Sequence, residues 1–226
     1  MALPLGNPLV LMLMLLVPVL VALLFIGAIK GAFVRLGVPA SVAPALVVIA
    51  LLGSLVNIPV KTISCVAERA RPPVAGLYGF LYPQSQRMYE FCTTTIAINV
   101  GGAVVPLAVC AYLFLRYPSY LFPACLATIP LCVAVCYRVA RIVPNVGIVM
   151  PTFIPPLTAA ILALLFDTSG FAVPLSFVTG VLGVIIGADV LNLRSVANTP
   201  SPTVSIGGAG TFDGIFLTGI ISVLLV

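Results

Sequence analysis

LVLMLMLLVPVLVALLFIGAI, residues 9–29, runs for 21 positions without a charged or hydrogen-bonding side chain. About 20 such residues in a helix cross a hydrocarbon core roughly 30 Å thick. Similar blocks recur at about 38–60, 94–115, 119–137, 147–166, 171–193 and 206–226. A core helix of a soluble protein carries a polar stripe at a 3.6-residue period, and none of these blocks does. The sequence therefore predicts an all-α fold, one polytopic transmembrane domain over residues 1–226 with about seven spans. The first block is too long for a signal peptide and lacks a charged segment before it, so it is expected to be a retained span.

Composition agrees. The chain of 226 residues is 62% hydrophobic and 7% charged, with a mean hydropathy of +1.30. Soluble domains carry roughly 25% charged residues. The net charge of +5 comes from ten Lys and Arg residues scattered between apolar blocks, so no nucleic-acid partner is expected. The expected surroundings are membrane lipids. There is no His, which excludes His-dependent triads and His-ligated zinc. The six cysteines form no CxxC pair and read as small buried apolar residues. No metal or cofactor is expected.

With the N-terminus inside, Lys61, Arg69, Arg71, Arg87, Arg138, Arg141 and Arg194 fall in cytoplasmic loops, against Lys30, Arg35 and Arg116 outside. That bias predicts a cytoplasmic N-terminus, although Lys30 and Arg35 just after the first span pull the other way. Residues 61–93 hold Glu68, Glu90 and the helix-breaking Arg71-Pro72-Pro73 and Tyr82-Pro83 steps, which predicts an extramembrane loop with short strands. VPNVGIVMPTFIPPL, residues 143–157, predicts a span broken or extended before Thr158.

Only five acids exist. Asp167 lies in LFDTSGF and reads as a turn or cap residue. Asp189, in VLGVIIGADVLNL, is four residues before the end of the sixth span, about 6 Å of helix. Asp213, in IGGAGTFDGIFLTGI, is seven residues into the seventh, about 10 Å. Antiparallel consecutive spans bring the two to similar depth. Gly183 and Gly187 form one GxxxG and Gly210 and Gly214 another, spacings that allow close helix approach and are expected to draw these two spans together. Gly207, Gly208 and Gly210 are expected to loosen the start of the seventh helix and admit water or an extended peptide.

Paired carboxylates in a low dielectric can share one proton and so offer an acid and a base at once, as aspartyl proteolysis requires. Two other readings stay open. The same acids suit a proton- or cation-handling transport site, or each caps a helix or snorkels, with Arg194 beside Asp189.

At these residues the chain resembles the presenilin and signal-peptide-peptidase type of intramembrane aspartyl protease, and a family of small prokaryotic multi-pass proteins associated with it. Asp189 matches the family's first aspartate by position. Gly208-Ala209-Gly210-Thr211-Phe212-Asp213 matches its GxGD motif approximately, with Thr211 and Phe212 between Gly210 and the aspartate. Ala188 stands where the family has tyrosine. No Pro-Ala-Leu motif follows the second aspartate, and Pro155-Pro156-Leu157 is expected to fill that role from an earlier span. The resemblance implies a presenilin-like core, an Asp189/Asp213 catalytic pair, a transmembrane peptide substrate and a prokaryotic inner or plasma membrane. Gly187, Gly208, Gly210, Thr211, Phe212, Pro155, Pro156 and Leu157 would shape the substrate site.

Overall fold

The computed structural model describes residues 8–70, 87–143, 147–193, 203–208 and 213–226. Seven α-helices dominate them: α1 (Pro8–Arg35), α2 (Ala43–Gly53), α3 (Val105–Arg116), α4 (Pro118–Val139), α5 (Ile154–Phe166), α6 (Ala172–Val184) and α7 (Gly214–Leu225). Three helical stretches are long and apolar enough to cross a membrane: Leu16–Arg35, Pro118–Val139 and Ala172–Val190. The third counts a π-helical turn, Ile185–Val190, that continues α6. The other four helices are shorter.

Five strands interrupt the helices. Strands β1 (Asn57–Ala70) and β2 (Arg87–Asn99) form an antiparallel ladder that opens with Asn57 opposite Asn99 and slips once between Pro59 and Lys61. Strands β3 (Arg141–Val143) and β4 (Gly147–Val149) pair with each other. A short β5 (Thr203–Ile206) joins β2 in parallel, giving the order β1-β2-β5.

These strands differ from the expected spans. Residues 57–60 and 94–99 are extended rather than helical, and the ladder is far longer than the short strands expected for the 61–93 loop. The reason is compositional: Ile58, Val60, Thr93, Thr94, Thr95, Ile96 and Ile98 are β-branched and favour a pleated backbone, while hydrophobicity alone does not distinguish strand from helix. Helix α3 is therefore reached only after Asn99, through a second π-helical turn, Val100–Val104. Within 143–157, Val143 ends β3 and Gly147–Val149 form β4. Helix α5 then starts at Ile154, with Pro155 and Pro156 in its first turn, where their missing N–H groups cost no intrahelical bond.

Helix α6 is the hub. Of its 18-residue apolar window 67% is buried, against 17% for α1 and 28% for α4, and it packs on α4, α5 and α7. Lipid removes the hydrophobic drive between apolar helices, so close contact must come from small residues and polar pairs. A Cβ at Gly180 would lie 2.9 Å from Thr218 Cγ2 of α7 and 3.2 Å from Ala159 Cβ of α5. One at Gly219 would lie 2.7 Å from the Phe177 ring. On the α4 side, the buried hydroxyls of Thr128 and Thr179 are 2.8 Å apart and hydrogen-bonded.

The glycine spacing next to Asp189 works differently from expectation. A Cβ at Gly183 would fall 2.4 Å from Cys132 Sγ, and one at Gly187 would fall 2.5 Å from the Val133 carbonyl oxygen. Both glycines face α4, not α7. The α6–α7 contact uses Gly180 and Gly219 instead.

Candidate active site

Asp189 sits in the π-helical turn that ends α6. The i→i+5 bonding of the turn shows in Leu191 N, which donates to Ile186 O at 3.0 Å, and Asn192 Nδ2 donates to Gly187 O at 3.2 Å and Ala188 O at 2.9 Å. Asp189 is half-buried.

Asp213 is the N-cap of α7. Its backbone is extended (φ −69°, ψ 161°) and its Oδ2 accepts from Ile215 N at 3.0 Å. An acid at a helix N-terminus satisfies an orphan N–H and sits at the positive end of the helix dipole. The capping role that the sequence leaves open for this acid is therefore present. Asp213 is 7% exposed.

Two cavities bring these acids together. One, of about 290 Å³, is lined by Asp189, Asp213, Asn57, Ile148 and the β5 residues through Gly208. The other, of about 310 Å³, is lined by the same two aspartates with Met150, Pro155, Val184, Leu217 and Thr218. Both aspartates line both spaces.

The remaining expected site residues divide. Gly208 lines the first cavity and Pro155 the second. Pro156 is buried beside Pro155 but lines neither, and Leu157 is 51% exposed. Gly187 packs on α4. Gly210, Thr211, Phe212, Arg194 and the 71–86 segment with its proline steps lie outside the described residues. Among the described residues Gly214 makes no close helix contact, a Cβ there meeting Met150 Cε at 3.8 Å.

Sequence reasoning missed the backing of Asp213. The Val100–Val104 turn is capped by Asn99, whose Oδ1 accepts from Gly102 N at 2.8 Å. A Cβ at Gly102 would fall 2.0 Å from Gly207 O and 2.8 Å from Asp213 Cβ, so only glycine fits. Gly207 itself has φ +75°, a left-handed conformation that favours glycine. The available signal was an amide followed by two glycines, Asn99 to Gly102, inside an otherwise apolar run.

A family described as proteins of unknown function, DUF1614, has a model that matches residues 51–225, well over half of the chain. The chain belongs to the DUF1614 family. No curated protein and no solved structure matches it. The DUF1614 match begins near the end of α2, so it takes in both aspartates, all five strands and α3 to α7. Within this DUF1614 chain the matched region and the cavity-forming elements therefore coincide.

Proposed function

We propose that this DUF1614 chain is a membrane-embedded aspartyl protease, with Asp189 and Asp213 as its catalytic pair and transmembrane or juxtamembrane peptides as substrates. The observation that carries the reading is the shared lining of the two cavities by both aspartates. With one proton between them, the ionised carboxylate accepts a proton from water as the water oxygen attacks the scissile carbonyl carbon. The protonated partner gives its proton to the carbonyl oxygen, forming a neutral gem-diol. Collapse breaks the C–N bond, one carboxyl protonating the leaving nitrogen while the other takes a proton from the diol. The pair again holds one proton.

Strand β5 supports the same reading, because it stands at the sheet edge among the described residues and all four of its residues line the first cavity. An extended peptide can add to such an edge, which would present its backbone to the acids. The resemblance to presenilin-type proteases adds weight at Asp189 and Asp213 and extends to a prokaryotic membrane with the N-terminus inside.

A second reading is proton- or cation-coupled transport. It is favoured by the position of the same two acids, which line both cavities. The purified chain should be tested in two assays: cleavage of a panel of fluorogenic transmembrane peptides in detergent, and proton or cation flux in liposomes. Proteolysis predicts cleavage that Asp189→Ala and Asp213→Ala each abolish without unfolding the chain. Flux lost on Asp213→Ala, with no cleavage by the wild type, supports transport instead.

A further inference from the structure

Asn57 lies at the start of β1 and lines the first cavity with Asp189 and Asp213. The hydrogen bonds around it fix which way its amide faces. Asn99, fully buried, accepts through Oδ1 from Gly102 N at 2.8 Å, and its Nδ2 donates to Ser54 O at 2.7 Å. A backbone N–H can only donate and a carbonyl can only accept, so the Asn99 amide has one orientation. The same Nδ2 donates to Asn57 at 3.0 Å, and the atom receiving it must be Oδ1. Ser205 Oγ donates to that oxygen too, at 2.6 Å. Two donors from two other strands therefore hold the Asn57 carbonyl oxygen. The Nδ2 end, with its two hydrogens, is left as the hydrogen-bonding group that Asn57 can offer a ligand.

We infer that Asn57 is a substrate-binding residue of the aspartate cavity, its locked amide donating to a backbone carbonyl of a peptide held in extended form. The nature of the ligand rests on the proteolytic reading. The chemistry is selective. Of the two aspartates the ionised one can only accept and the protonated one is committed to the scissile carbonyl, so neighbouring substrate carbonyls need donors from elsewhere in the cavity wall. Asn57 supplies a donor that carries no charge, and pre-orientation by Asn99 and Ser205 spares the entropy of fixing it on binding.

The test uses the full chain in detergent, the cleavable transmembrane peptide, and a non-cleavable hydroxyethylene analogue of that peptide as binding probe. Two variants remove the donor in different ways. Asn57→Asp keeps the acceptor for Asn99 and Ser205, and Asn57→Ala adds no charge. Both are expected to raise KM and weaken probe binding by about tenfold, the scale of one lost hydrogen bond, with kcat within about twofold. Unchanged KM and probe affinity in Asn57→Ala overturns the inference, and so does a defect confined to Asn57→Asp, which would be a charge effect. If the wild type binds the analogue but cleaves nothing, and both variants bind it weakly, Asn57 stands and proteolysis falls. If the wild type neither binds nor cleaves, both fall.

Discussion

Three aspartates carry three different burdens. Asp167 holds the turn between α5 and α6, its Oδ1 accepting from Ser169 N and Phe171 N, both at 3.0 Å, and its Oδ2 from Ala172 N at 2.9 Å. Desolvation pushes its carboxyl up, but the backbone N–H groups of Ser169, Phe171, Ala172 and Gly170 outweigh this and hold it below the usual carboxylate range. A carboxyl depressed in the folded state stabilises fully above its unfolded value and loses that contribution as pH falls through the folded value. Asp167→Ala is expected to lower Tm by about 2 °C at pH 7, the scale of one lost cap worth about 1 kcal/mol. The gap from wild type should narrow in acid, and thermal melts at neutral and acidic pH check both points. Asp213 combines a cap with a place in the cavity wall. Asp189 is held by a π-helical turn that Asn192 closes. All three aspartates are legible in the sequence because acids are so rare in it. Asn57 is not, since an uncharged amide is commoner in this chain than an aspartate and marks no chemistry by itself, and Asn99 is marked only by the two glycines that follow it.

At the scale of elements, glycine spacing announces close approach without naming the partner. The spacing of Gly183 and Gly187 points to the seventh helix, yet both press on α4, because the neighbour that a helix face meets depends on how the whole bundle is assembled. That contact is testable. Gly183→Ala puts a carbon 2.4 Å from Cys132 Sγ and is expected to destabilise by about 1–3 kcal/mol, partly recovered by adding Cys132→Ala. Gly31→Ala in α1 meets none of the described residues within 4 Å and should be neutral or slightly stabilising. Equal effects at both positions, read by thermal denaturation, would contradict the packing. The β-ladder is legible only in part. Proline steps and charges mark a break after residue 60, but its flanks, rich in Ile, Val and Thr, pass for helix because an apolar run reads alike in either form.

For the whole molecule, an apolar all-helical membrane domain is the expectation, and the described residues combine three helices of spanning length with four shorter ones and two small sheets. The strands and π-helical turns gather where the aspartates are, on the β5 side of α6 and α7. Irregular backbone is tolerated in an apolar bundle where it lines a cavity. Two acids lining one cavity should lie within reach of each other, and cysteines in their places make that measurable. In a chain whose six native cysteines are replaced by alanine, the double variant Asp189→Cys/Asp213→Cys is expected to be joined by a bifunctional thiol reagent of short span, read by mass spectrometry of the digested protein, while Asp189→Cys/Asp167→Cys, at opposite ends of α6, should not be. A folded 189/213 variant that the reagent leaves unjoined would contradict the shared cavity.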